Sequence, residues 1–130
     1  MRSEMEIVFP GGARVDAVAN GMVITTNQDG TAPAPFGLFL ASIGTCAGIY
    51  VLSFCKQRGL PADNIRIIQR MDMNPVTHMI EHIELDIQLP PDFPEQYKEA
   101  VVRSAELCAV KKHLENPPAF DVHVSVLQTA

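Results

Sequence analysis

The order of elements in the chain predicts an α+β domain: an N-terminal β-hairpin region, one long helix, two further strands, a second helix and a last strand. Three observations carry that expectation. Asn20-Gly21 stands between two extended segments, a strong short-range hairpin signal. The stretch from Phe36 to Cys55 holds no charged residue and is long enough for several helical turns. Ile83, Leu85, Ile87 and Leu89 alternate strictly with Glu84, Asp86 and Gln88, the period of a strand with one wet face.

In chain order, Met5, Ile7 and Phe9 alternate with Glu4, Glu6 and Val8, and Pro10-Gly11-Gly12 turns the chain. Extended segments at 15–18 and 22–26 flank Asn20-Gly21, and Asn27–Gly30 forms a second turn. Pro35 suits the first turn of the long helix, because its missing N–H has no partner there anyway. That helix runs to about Arg58, with Lys56 and Arg58 in its last turn, Gly59 as the stop signal and Pro61 beyond. Residues 65–72 are β-branched enough for a strand, and Pro90-Pro91-Asp92 ends the strand after it. A second helix begins near Pro94, with Tyr97, Val101, Ser104/Ala105 and Cys108 as one inward stripe. Asn116-Pro117-Pro118 breaks the chain, and Phe120, Val122, Val124 and Val126 alternate as a last strand. No linker or repeat divides the sequence, so residues 1–130 read as one domain.

Composition narrows the function. Ten Lys and Arg against 15 Asp and Glu give a net charge of −5. An acidic chain lacks the clustered cations of a duplex binder or an anionic-membrane binder. With no Trp and two Tyr there is little from which to build a stacking platform for single strands. Three Cys are too few, and odd in number, for a secreted disulfide scaffold, so a cytoplasmic location is expected. The N-terminus has no apolar run of signal-peptide length. The uncharged stretch has the length of a membrane span, but Ser42, Gly44, Thr45, Gly48 and Ser53 weaken its hydropathy. A buried helix, covered from two sides, is therefore the expectation, and no membrane partner.

The cysteines are the candidates for chemistry. Cys46 lies mid-helix among small residues, which leave room for another backbone or a ligand. Cys55 is nine positions on and hence on the opposite face at about 100° per residue. Cys46 and Cys108 can meet if the two helices cross. Spacing alone leaves two readings open: a working pair, or small core residues, which is what a Cys in an apolar helix usually is.

The local sequences add to spacing. Ala34-Pro35-Phe36-Gly37-Leu38-Phe39-Leu40-Ala41-Ser42-Ile43-Gly44-Thr45-Cys46 resembles the long helix that carries the first cysteine of the OsmC/Ohr family, the osmotically induced and organic hydroperoxide resistance proteins. Ala105-Glu106-Leu107-Cys108-Ala109-Val110-Lys111-Lys112-His113-Leu114 resembles that family's second motif, a Cys followed by Pro and a short helix. The resemblance covers nearly the whole chain and is nearest to the small OsmC-like branch. It implies an OsmC-like fold, an intertwined homodimer with the long helices at its centre, and an active site at each subunit interface. It further implies that Cys46 is the peroxidatic and Cys108 the resolving residue of a hydroperoxide reductase. Such an enzyme needs no bound cofactor or metal, but requires a peroxide substrate and an external dithiol reductant.

That chemistry demands a thiolate at Cys46. Cys46 is about ten residues into its helix, too deep for that helix's own dipole, so the cation, helix N-terminus or base that lowers its pKa must come from elsewhere. The family's Glu at the start of the long helix, which orients an activating Arg, is replaced by Phe36 and Gly37. Arg14, after Gly11-Gly12, is the candidate for that Arg, with a solvated strand residue as the alternative. Ala109 stands where the family has Pro after the second cysteine. These departures support a rival function on the same fold, a non-catalytic small-molecule-binding or thiol-sensing protein.

Two other groupings are weaker. His78, Glu81 and His82 mimic an inverted zinc-protease motif. On a strand the two His would stand about 13 Å apart, too far for one metal. His113, beside Lys111 and Lys112, can add positive potential near Cys108 or simply solvate a helix end. Cys55 reads as packing.

Overall fold

Asn20 and Gly21 have φ of 51° and 74°, the two positive values a type I′ hairpin turn requires. That turn joins strands β2 (Arg14–Ala19) and β3 (Met22–Asn27), and β1 (Glu6–Gly11) adds on the other side of β2. The result is a three-stranded antiparallel sheet in which Val18 faces Val23 and Glu6 faces Val18. Its β1–β2 register shifts between Val8 and Gly11, around Pro10, which has no N–H to give to a ladder. The computed structural model describes residues 1–128.

Helix α1 spans Pro35–Gln57 with Pro at its first turn, as expected. It ends in a Schellman arrangement: Gly59 has φ of 65°, its N–H donates to the Lys56 carbonyl, and the Leu60 N–H donates to the Cys55 carbonyl at 2.9 Å. Strands β4 (Arg66–Met73) and β5 (Ile80–Gln88) form a second antiparallel sheet. Its outer face is wet, with Arg70 donating to Glu84 at 2.7 Å and to Asp86 at 3.1 Å. Its inner face, with Ile67, Leu85 and Ile87, packs on the core.

A 3-10 turn at Glu95–Tyr97 leads into α2 (Lys98–Ala105), and α3 (Ala109–Glu115) follows. Ala47, Val51, Phe54 and Cys55 of α1 meet Phe93, Val101 and Ala105 to form the core. Ser104 Oγ donates to the Tyr50 carbonyl at 2.9 Å and ties α2 to α1. The Arg58 guanidinium lies 3.7 Å from the centre of the Phe54 ring, and Tyr97 meets that ring edge-on. The core includes no residue of β1–β3. Cover on α1 is one-sided: Phe36, Phe39, Ile49 and Leu52 are exposed.

Three local expectations need correction. The second helix is not continuous: it breaks after Ala105, and Cys108, with φ of −48° and ψ of 126°, becomes the residue that precedes α3. The break turns the Cys108 sulfur into α1, so a tertiary contact overrides the local helical pattern. Residues 117–128 form no strand; Phe120, Val122, Val124 and Val126 are almost fully exposed. Alternation supplies a strand's two faces, but a strand also needs a neighbouring backbone, and this chain places none beside it. Finally, His78 sits in the β4–β5 turn at φ of 60° rather than on a strand, while His82, on β5, has its Nδ1 3.2 Å from Asp72 Oδ2.

Candidate active site

Cys46 lies on the flank of α1, half-buried, and faces the start of α3. The first amides of a helix have no intrahelical partner and are free to donate elsewhere. The Val110 backbone amide, at the start of α3, is the main cause of a Cys46 thiol pKa held below its ordinary value. The Cys108 thiol acts in the same direction, and the Ala109 N–H adds to it, while burial opposes them. Stabilisation of the anion by hydrogen bonds is one of the physical routes to a depressed pKa.

Cys108 moves the other way. Burial pushes its thiol up, and the neighbouring Cys46 pushes it further. Its Sγ lies 4.0 Å from the Ile43 carbonyl oxygen, within the long reach of a thiol donor. The two cysteines therefore share one site, with the Cys46 thiol pKa lowered and the Cys108 thiol pKa raised. Cys55 is separate, fully buried in the core with its thiol raised by that burial.

Arg14 is not brought to this pair. It lies on β2, where its Nε and Nη2 grip the Asp16 carboxylate at 2.8–3.1 Å, and Asp16 is nearly fully buried. Among the described residues the groups that set the Cys46 thiol are amides and a thiol, not a cation. His113 turns its Nδ1 to the Ala109 carbonyl, 2.7 Å away, within α3.

Two features that hold the site lay beyond the reach of spacing. The Ala109 and Val110 amides are invisible in a side-chain motif, although a short helix starting after Cys108 is a usable signal for them. Gln69 of β4 donates from Nε2 to the Leu40 carbonyl at 2.9 Å, and its Oε1 rests against Gly44. Gly44, with no Cβ, leaves room for that side-chain amide just before Cys46.

Two cavities are lined by residues of α3. One, of about 290 Å³, lies between β5 and the α2–α3 bend and is lined by Cys108 but not Cys46. The other, of about 390 Å³, lies over Ala109 and Val110 and is walled by Phe39, Leu114 and Phe120.

Comparison with known proteins bears on the fold. The family model described as OsmC-like protein matches residues 28–123. Among solved structures, an OsmC-like protein from Mycoplasma pneumoniae superposes with a TM-score of 0.68 at 13% identity, covering 90% of this chain and 89% of that one. A hypothetical protein from Aquifex aeolicus gives 0.65 at 19% identity, with coverage of 90% and 89%. The organic hydroperoxide resistance protein OhrB of Bacillus subtilis gives 0.54 at 16% identity, with coverage of 88% and 93%. At such identities the likeness establishes a shared fold. No curated protein matches in sequence.

Proposed function

Because the chain belongs to the OsmC-like protein family, we propose that it reduces organic or hydrogen peroxides with the Cys46/Cys108 pair and an external dithiol. The observation that carries this reading is the Cys46 sulfur held by the Val110 and Ala109 amides with the Cys108 thiol beside it. A thiolate so placed attacks the distal peroxide oxygen; the O–O bond breaks and the alcohol, or water from hydrogen peroxide, departs with a proton. Cys46 becomes a sulfenic acid. Cys108 condenses with it, releasing water and forming a disulfide, and a dithiol restores both thiols. The apolar cavity over Ala109 and Val110 suits the organic part of a hydroperoxide.

The working unit in this proposal is a homodimer. The exposed side of α1, the sheet β1–β3 and the tail after Pro118 leave apolar side chains such as Phe9, Ile49, Leu52 and Val124 uncovered. A second copy supplies the missing cover, and its β1–β3 sheet carries Arg14, held rigid by Asp16, as the activating cation. Phe36 and Gly37 offer no carboxylate to orient that Arg, so Asp16 is the orienting group in this chain.

Consumption of cumene hydroperoxide with dihydrolipoamide tests the reading. Wild type is expected to turn over, and Cys46→Ser to lose all protein-dependent turnover. Consumption that does not depend on Cys46 contradicts it. The second reading, a binding or thiol-sensing protein, is favoured by the same apolar cavity. It is distinguished by stoichiometric oxidation of Cys46 without turnover.

A further inference from the structure

Only one of the two cavities reaches a sulfur of the cysteine pair. The smaller one is lined by Cys108 together with Ile83, Leu85, Ile87, Val102 and the charged pair Glu106 and Lys111, and Cys46 takes no part in its wall. Thiol–disulfide exchange is a displacement at sulfur: the attacking sulfur approaches along the S–S axis, from the side opposite the leaving sulfur. With Cys46 bonded to Cys108, a thiol in this cavity reaches Cys108 from a side that Cys46 does not occupy. Peroxide, in contrast, must reach Cys46.

We infer that the cavity beside Cys108 is where the dithiol reductant docks, and that the reductant attacks Cys108, with Cys46 as the leaving sulfur. The inference rests on the proposed redox role of the pair. The apolar rows of β5 and α2 suit an aliphatic arm, and Lys111, whose ammonium lies 3.5 Å from Glu115, adds a polar group to the wall. The exchange balances. One thiolate of the reductant bonds to Cys108 Sγ as the Cys46–Cys108 bond breaks, and Cys46 departs as a thiolate held by the Val110 and Ala109 amides. The reductant's second thiol then attacks its own sulfur in the mixed disulfide, releases Cys108 and closes the reductant's disulfide. Two electrons and two protons pass to the cysteine pair. A leaving thiol of lower pKa departs faster, which agrees with Cys46 in that role.

Diamide oxidation of the purified protein makes the Cys46–Cys108 disulfide without peroxide, so peroxidase activity is not a condition of the test. Brief treatment with 2-mercaptoethanol, alkylation with iodoacetamide and peptide mapping then locate the mixed disulfide. It is expected on Cys108, with Cys46 alkylated; a mixed disulfide on Cys46 overturns the inference. In parallel, Val102→Trp fills the cavity rim from a half-exposed position. It is expected to slow reduction of that disulfide by dihydrolipoamide by about tenfold while leaving oxidation of Cys46 by peroxide unchanged. An unchanged reduction rate overturns the docking site. If diamide forms no such disulfide, the inference falls with the reading it rests on. A protein that forms the disulfide but consumes no peroxide contradicts the peroxidase reading alone, and its mixed disulfide still decides this one.

Discussion

Among the described residues every buried apolar side chain lies between Ile43 and Cys108, whereas the segment up to the end of β3 and the segment after α3 hold most of theirs out to solvent. Ala47, Cys55 and Val101 are 0% exposed, while Phe9 is 79% and Val124 92% exposed. Both regions carry regular apolar patterns, at a strand's period in β5 as much as in the tail after Pro118. The difference teaches that a pattern specifies which face of an element is apolar, not which molecule covers that face. In the central region α1, β4–β5 and α2 cover one another. In the outer region the cover has to come from elsewhere, and the proposed second copy supplies it.

That contrast can be broken from either side. Truncating Phe54→Ala removes a core ring together with its contacts to Tyr97 and Arg58, and is expected to cost about 3–5 kcal/mol in chemical denaturation. A loss near zero would mean that the central region is not the folding core. Val122→Asp with Val124→Asp should leave the fold intact, since both side chains are exposed in the single chain. It should weaken self-association by about 3 kcal/mol, the burial lost from two valines. Sedimentation equilibrium reads this directly, and unchanged association would remove the tail from the interface.

Smaller effects sharpen the picture at the site. A Cβ at position 44 would run into Gln69 Oε1, so Gly44→Ala moves Gln69 off the Leu40 carbonyl at a cost of about 1 kcal/mol. Helix propensity offsets this by about 0.5–1 kcal/mol, and a near-zero net change is expected in thermal or chemical unfolding. Ala109→Pro keeps the residue's size class but deletes one amide that donates to Cys46. Its expected result is an upward move of the Cys46 titration, read by alkylation rate, with little change in stability because proline is favoured at the first helical position. Ala109 thus keeps an N–H beside Cys46 that a proline there would lack.

Much of this was legible in the residues. Asn20-Gly21 announced its turn, the uncharged run its helix, Gly59 its end, and the alternation from Ile83 its strand, because each is a local property of the backbone. The meeting of Cys46 and Cys108 was legible as a resemblance and as one of two readings of the spacing. What escaped was set by tertiary contact. No residue between Ala105 and Ala109 signals a break, since it is the burial of Cys108 against α1 that turns the chain there. The donors to Cys46 are backbone amides, which no side-chain motif records. The last strand failed because alternation says nothing about where a partner strand lies.

The division of labour between the two cysteines is most directly tested by the pH dependence of their alkylation, resolved by peptide mass. Only the thiolate reacts, so a thiol whose anion is stabilised reaches its full rate at lower pH. Cys46, held down by the Val110 amide, is expected to react with a midpoint below that of an ordinary thiol, and Cys108, pushed up by burial, only at higher pH. A Cys46 midpoint at or above the ordinary value, or Cys108 reacting first, would contradict the assignment of Cys46 as the attacking thiolate.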